Sequence, residues 1–231
     1  MKKKNSWKKY TLLIGVLFLF PLSLLLFFGV YTDHHFSTLP YYGPKTLDAN
    51  GDTLYHSLPS FELINQDNVP FNNDSLKGKV WLAAFFGTNS PHIEKITRRL
   101  LWPNFRYRGE EDVYLVCFTQ DAEHDTPEVL KDYVSQMEMY NDYPGKWQFL
   151  TGEQSKIDAL VKDGFLLEDA MHTATFWLVD TEGKLRGKYN GNLEEQIKDA
   201  IEDIALLKKE IDIAKYEEEK RMERNGTSSD R

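Results

Sequence analysis

The sequence contains a single cysteine, Cys117, among its 231 residues. One cysteine cannot form a disulfide within the chain, and it cannot supply the two thiols that dithiol exchange requires. The fold must therefore be stabilised by an apolar core alone. A domain of about 150–170 residues is large enough to bury such a core.

Positive charge is scarce after the first ten residues. Those ten residues hold five lysines and no acid, whereas the whole chain has 28 Lys+Arg, 36 Asp+Glu and a net charge of -8. Without those five lysines, the net charge of the remaining residues is -13. A body this acidic argues against nucleic acid as a partner.

Residues 11–30 form an uncharged stretch, TLLIGVLFLFPLSLLLFFGV. Its 20 residues are enough to cross the hydrocarbon core of a bilayer, about 30 Å thick. A cleavable signal peptide is the alternative, but its apolar region is usually about 7–15 residues long. We predict a single-pass membrane helix in the cell membrane, with residues 1–10 cytoplasmic and the body of the chain extracytoplasmic, because lysines flank the N-terminal side.

The remaining residues are predicted to form three regions. Residues 31–57 are expected to be an extended linker, in which the adjacent His34 and His35 would need further ligands to bind a metal. Residues 58–207 are expected to be the folded domain. Residues 208–231 are predicted to be a charged helix that frays into a disordered tail.

Within the domain, apolar runs alternate with helical patterns. The predicted strands are residues 61–64, 80–86, 112–119, 147–152, 175–179 and 185–189, with a further short strand before residue 77. Helices are predicted at 90–107, after a cap at Asp125 or Thr126, at 155–165, and from about Asn192. Two parallel βαβ units closed by a hairpin and a helix predict an α/β thioredoxin-like fold, a central mixed sheet flanked by helices.

The stretch from Val80 to Arg99, VWLAAFFGTNSPHIEKITRR, is predicted to be a strand–turn–helix corner. Such corners present backbone N–H groups and side chains at a helix N-terminus, where proteins commonly bind anions, thiolates or metals. Here the turn contains no thiol. The corner therefore has the form of a redox or metal site without its sulfur atoms.

Four phrases of the sequence resemble the Sco/SenC family. They are SFELINQDNVPFNNDSLKGKVWLAAFFGT, VCFTQDAEHDTPEVLKDYV, KWQFLTG and HTATFWLVDTEGKL, and they occur in the family's order over residues 58–192. Sco/SenC proteins are membrane-anchored, thioredoxin-fold proteins that deliver copper during assembly of cytochrome c oxidase. The resemblance implies the same fold, with respiratory oxidase subunits or a cysteine-bearing homologue as partners.

The family's copper ligands are two cysteines in a C-P-x-x-C-P motif and one histidine before the last hairpin. In this chain the cysteine positions are occupied by Ser90 and Glu94, and the second proline by Lys95. The family histidine falls on His172. Cu(I) is selected by soft sulfur ligands, which serine and glutamate do not provide. The resemblance thus implies a member that has lost Cu(I)–thiolate and thiol redox chemistry.

An alternative is a metallochaperone that binds copper or zinc through His172 with Glu94 and His92. These nitrogen and oxygen ligands suit Zn(II) or Cu(II) rather than Cu(I). The competing interpretation of His172 is a relic or a structural residue.

Two other groups of residues are weighed as candidate sites. Cys117 lies in an apolar strand pattern, where a free cysteine behaves as a small buried hydrophobe, and a thiol enzyme is the alternative. Four polar residues crowd the next loop: Asp121, Glu123, His124 and Asp125. A charged loop with a helix cap is the simpler interpretation, and a catalytic carboxylate pair is the other.

The sequence as a whole favours a non-catalytic protein. We predict a membrane-anchored accessory or assembly factor for respiratory cytochrome oxidase, which is not an enzyme and for which no cofactor is expected.

Overall fold

The structure is a computed structural model in which the chain divides into two compact units, Met1–Ser37 and Thr38–Arg231. It describes residues 17, 20, 23, 38–91, 93–137, 146–168 and 174–226. Residues 17, 20 and 23 are helical, whereas the rest of the predicted membrane helix and the His34–His35 pair lie outside the described residues. In the described ranges, no helix has both the length and the apolar composition needed to cross a bilayer.

The described part of the second unit contains nine strands and four α-helices, each numbered in chain order. Strands β1 to β9 are Lys45–Leu47, Thr53–Tyr55, Glu62–Asn65, Pro70–Asn72, Val80–Phe86, Val113–Thr119, Trp147–Thr151, Thr175–Val179 and Leu185–Asn190. Helices α1 to α4 are Ile93–Tyr107, Pro127–Ser135, Gln154–Ala159 and Glu194–Gly226. A π-helical turn, Leu160–Gly164, follows α3.

Seven of these strands form one mixed sheet in the order β4-β3-β7-β6-β5-β8-β9. β5, β6 and β7 are parallel, and the outer pairs are antiparallel. The predicted mixed sheet and its closing hairpin are confirmed. The carboxyl ends of the parallel strands, at Phe86, Thr119 and Thr151, share one edge of the sheet, which we call the site end.

Strand β5 is buried along its whole length. Alternate side chains enter two apolar clusters, because successive residues of a strand point to opposite faces. Leu82 packs in a cluster with Leu100 of α1 and Ile204 of α4. Trp81 packs on the other face in a cluster with Phe165. The predicted central strand, covered on both faces, is confirmed.

The helices that follow β5 and β6 begin close to their predicted starts. α1 begins at Ile93 rather than at Ser90, because Ser90 and Pro91 belong to a turn in which the Ser90 N–H donates to the Gly87 carbonyl at 2.9 Å. Of the two predicted caps for α2, it is Thr126 whose side chain accepts from a helix N–H. Pro127 occupies the first position of that helix, as predicted.

The structure differs from the expected extended linker in residues 38–57. β1 and β2 form a two-stranded antiparallel hairpin. Leu39 is buried in the same cluster as Leu82. The Tyr42 N–H donates to the Leu185 carbonyl at 2.9 Å, and the Tyr42 ring packs edge-on against Trp177 at 5.4 Å. The folded unit therefore includes residues upstream of Leu58. Their alternation of apolar and polar residues is too short to predict a strand.

The terminal helix α4 continues to Gly226. Its first half is in the core through Ile197, Ile204 and Leu207. From Ala214 to Arg224 every residue is exposed. The end of the predicted disordered tail, from residue 227, lies outside the described residues.

A buried arginine joins the start of the unit to its last helix. The Arg186 guanidinium donates to Glu210 at 2.6 Å and to Asp180 at 3.4 Å. It also donates to the carbonyls of Leu39, at 2.8 Å, and Pro40, at 3.3 Å. The Arg186 side chain is only 5% exposed. Since a buried charge is tolerated when it is paired and hydrogen-bonded, all of these partners are needed together.

We expect Arg186→Met to lower the free energy of unfolding by about 3–5 kcal/mol, because it removes the guanidinium from the buried carboxylate of Asp180 and from the partly buried carboxylate of Glu210. Urea unfolding followed by circular dichroism measures this change. Lys184→Met is the matched control, since Lys184 pairs with the exposed Glu182. It should cost less than about 1 kcal/mol. Equal effects of the two substitutions would contradict the assigned role.

Candidate functional site

The corner after β5 is a tight turn that leads into α1. The Ser90 N–H donates to Gly87, and the Ile93 N–H donates to the Ser90 carbonyl at 3.1 Å. Glu94 lies in the first turn of α1, as predicted, and is exposed, whereas Ser90 is half-buried. The two residues predicted to align with the family's cysteines thus lie at the site end, Ser90 on the turn and Glu94 on the helix.

The carboxylate of Asp125 organises this corner. Asp125 is fully buried. It accepts hydrogen bonds from the Thr88 N–H, at 3.2 Å, and from the hydroxyls of Thr88 and Thr119. The His124 Nδ1 atom lies 2.9 Å from Asp125 Oδ1. One carboxylate therefore fixes the turn after β5, the end of β6 and the loop that precedes α2.

The strand register explains why these residues meet. Phe86 of β5 is paired with Thr119 of β6, so the chain leaves both strands at the same level of the sheet. A second contact reinforces the first, because the Asn89 side-chain amide donates to Asp121 at 2.9 Å. The turn is consequently held from its neighbouring loop at two points.

In the polar loop after β6, Asp125 has a role that differs from both interpretations of the sequence. Asp125 is not the helix cap, a role that belongs to Thr126. It is an internal acceptor for two threonines, which the sequence analysis did not identify. One sequence feature could have indicated this role of Asp125: Thr119 ends one predicted strand, and Thr88 closely follows the end of another.

Of the three predicted metal ligands, only one lies in the described part of the chain. Glu94 is described, whereas His92 and His172 lie outside the described residues. A site formed by His172, Glu94 and His92 therefore stays a prediction. In the part of the chain that the structure describes, no group of three or more His, Cys, Asp or Glu side chains is placed to hold a metal.

Cys117 is buried within β6, as the simpler interpretation of the sequence predicted. It is 1% exposed, and the Trp147 indole N–H donates to its Sγ atom at 3.1 Å. Burial raises the pKa of the Cys117 thiol to about 12. The thiolate, which is the reactive form, is thus strongly disfavoured near neutral pH.

One cavity lined by described residues lies away from the corner. A cavity of about 530 Å³ lies by the turn between β8 and β9, and its lining includes Leu58, Phe61 and Trp81. Since this turn follows the end of β8, which is antiparallel to β5, the cavity is at the end of the sheet opposite the corner.

Cys117 should resist alkylation in the folded protein, because its thiol is both buried and protonated. We expect no labelling by iodoacetamide at pH 8 and complete labelling in urea, as measured by mass spectrometry. A Ser90→Cys variant provides the control for an accessible thiol. Rapid labelling of Cys117 in the folded wild type would contradict its assignment as a structural residue.

The hydrogen bond to Asp125 raises the pKa of His124, with a smaller contribution from the charges of Asp125 and Asp121. The protonated imidazole should therefore stabilise the fold fully below about pH 6.5, the ordinary pKa, and lose this effect as the pH rises through the raised pKa.

Histidine NMR titration checks this expectation. His124 should titrate at a higher pH in the wild type than in Asp125→Asn, and Asp121→Asn should change its pKa less. The same midpoint in the wild type and in Asp125→Asn would refute the proposed cause.

The chain is similar to several known proteins. The SCO1 protein homolog of Bacillus subtilis (strain 168) is 31% identical over 170 residues, which cover 66% of this chain and 83% of that protein. The crystal structure of a SCO1/SenC family lipoprotein from Bacillus anthracis str. Ames has 32% identity and a TM-score of 0.58, and the match covers 66% of this chain and 95% of that one.

A third relative is BsSco, described as a member of the Sco family of cytochrome c oxidase assembly proteins and as having a disulfide switch. Its structure has 32% identity and a TM-score of 0.55, over 67% of this chain and 94% of that one.

The family model for SCO1/SenC matches residues 51–208. This match includes β2 to β9 and the first half of α4. The observed mixed α/β sheet is the thioredoxin-like fold of the Sco structures. The match over most of the chain confirms the resemblance found in the sequence: the chain belongs to the SCO1/SenC family.

Proposed function

We propose that this protein is a membrane-anchored accessory or assembly factor for respiratory cytochrome oxidase that acts by binding rather than by copper or thiol chemistry. Two similarities support a role in oxidase assembly. The Bacillus subtilis relative is a SCO1 protein homolog, and BsSco is described as an oxidase assembly protein. This chain would take part in oxidase assembly as well, but by binding a partner instead of handling copper.

The observation that carries the proposal is that the only cysteine of the chain, Cys117, is buried in β6, which leaves the corner without a thiol. The resemblance to Sco/SenC aligns the two motif cysteines with Ser90 and Glu94. A serine hydroxyl and a carboxylate are poor ligands for Cu(I). A disulfide switch such as the one described for BsSco needs two cysteines, and this chain has one.

The corner itself supports a binding role. Asp125 and Asp121 hold the turn at Thr88 and Asn89, so the surface at Ser90 is presented by a fixed loop. Preorganised loops lower the entropic cost of association.

Anchoring in the membrane is the second part of the proposal. It rests on the uncharged residues 11–30 and on the five lysines before them. By the positive-inside rule these lysines stay in the cytoplasm, so the SCO1/SenC domain would be extracytoplasmic.

Copper titration of the detergent-solubilised full chain tests the loss of chemistry. We expect no stoichiometric Cu(I) binding in competition with a strong chelator, because two sulfur ligands are missing. The double variant Ser90→Cys/Glu94→Cys should bind about one equivalent, since thiolates select Cu(I). Adding His172→Ala to that variant should weaken its binding.

Stoichiometric Cu(I) binding by the wild type would overturn the proposal. Tight binding of zinc or Cu(II) by the wild type that is lost in His172→Ala would favour the metallochaperone with Glu94 and His92 instead.

A further inference from the structure

Helix α1 has a basic and aromatic outer face. Five residues form this face, which we call the α1 stripe: Lys95, Arg98, Trp102, Phe105 and Arg106. At 100° per residue they lie within about 100° of the helix circumference. The opposite face, with Ile96, Leu100 and Tyr107, is buried in the core. The stripe is therefore the solvent side of an otherwise well-packed helix.

The α1 stripe stays open to solvent although its side chains make ring contacts. The Lys198 ammonium lies 5.7 Å from the Trp102 ring, the Arg108 guanidinium 4.2 Å from the Phe105 ring, and the Arg106 guanidinium 5.1 Å from the Tyr107 ring. Trp102 is 41% exposed and Phe105 is 53% exposed. Among the described residues, Lys95, Arg98 and Arg106 have no carboxylate partner, whereas the neighbouring Arg99 pairs with Glu194 at 3.2 Å. Exposed aromatic side chains between cations that have no carboxylate partner are characteristic of surfaces that bind.

The charge of the stripe is opposite to that of the body. Residues 93–108 hold five basic residues and one acid, whereas the chain after residue 10 has a net charge of -13. The natural partner of this face is therefore anionic. Arginine, lysine and tryptophan together suit a lipid headgroup layer, because their polar ends stay hydrated while their apolar parts enter the interface.

The C-terminal end of α1 lies at the end of the unit where the chain enters it. α4 starts beside Arg99 and, further along, Lys208 contacts Glu110 and Asp112 just after α1, at 2.7 and 2.6 Å. The next turn of α4 carries Glu210, which accepts from the Leu39 N–H. The C-terminal end of α1 and the first residues of the unit are thus both close to the 208–210 turn of α4.

Chain length limits the distance between this end and a bilayer. Only residues 31–37 separate the predicted membrane helix from Thr38. Seven fully extended residues span about 25 Å at most. This step rests on the membrane anchoring proposed above.

We infer that the α1 stripe rests on the anionic phospholipid surface of the membrane in which the chain is anchored. An acidic protein is the other conceivable partner for the same charges. Lipid is favoured because the anchor keeps it within reach of this end of the unit and because Trp102 and Phe105 have the exposed apolar area that an interface takes up.

The full chain in lipid nanodiscs allows a direct test. Gly109→Cys places a fluorophore at the end of α1 without removing a stripe residue, since no atom lies within 4 Å of an added Cβ. The buried Cys117 stays unlabelled. Lys156→Cys is the matched position, because it lies on α3, next to Ile157 in the cluster on the other face of the sheet.

Headgroup-nitroxide lipids report contact by quenching. In discs with phosphatidylglycerol, we expect the residue 109 probe to be quenched about twofold more than in phosphatidylcholine discs, and to lose this excess in 0.5 M salt. The variant Lys95→Gln/Arg98→Gln/Arg106→Gln should also lose it. A charge-matched variant of exposed lysines elsewhere, Lys77→Gln/Lys131→Gln/Lys162→Gln, should keep it.

Several results would overturn the inference: equal quenching at residues 109 and 156, quenching that ignores lipid charge, or quenching that survives in the stripe variant. Binding of an acidic protein that needs the stripe, without lipid contact, would reassign the face to a protein partner.

Failure of the chain to enter nanodiscs would refute the anchor alone, and the copper titration is independent of both. Sedimentation of that chain with phosphatidylglycerol vesicles then decides the stripe. Pelleting that the stripe variant loses supports the inference, and any other result refutes it.

Discussion

Strand β5 is buried on both faces, so each face of the sheet needs a cover of its own. α1 and α4 supply one cover through residues such as Leu100 and Ile204, and the segment around Phe165 supplies the other. The parallel pairing of β5 with β6 then sets where the chain must turn. The corner therefore begins directly after Phe86, where the buried and paired part of β5 ends.

The central strand, the helix after it and the closing hairpin could be predicted from the sequence because each depends on local apolar periodicity. The hairpin of β1 and β2 could not, because its strands are only three residues long and exposed, and the segment before them is held by a hydrogen bond from Tyr42 to the distant Leu185. The same holds for Arg186, whose burial depends on Glu210 and Leu39, and for Asp125, whose partner Thr88 is 37 residues away.

The candidate site has a turn without a thiol, held from below by a buried carboxylate. Under the proposed function, Ser90 stands where the family has a soft sulfur donor. The buried carboxylate of Asp125 then sets the loop geometry whatever side chain the turn presents. Under the proposed function, replacing the two motif cysteines would exchange an ion site for a binding surface while Asp125 still holds the turn.

The contacts of Arg186 with Leu39 and Pro40 also have a mechanical meaning. A tether that pulled on Thr38 would first meet the two carbonyl hydrogen bonds and the link from Leu39 to Glu210, all loaded together. Bonds loaded in parallel share a force, whereas a hairpin peeled from one end breaks its bonds in turn. The attachment of α4 and β9 to the entry segment thus makes the start of the unit a point that resists traction, and shields the sheet from it.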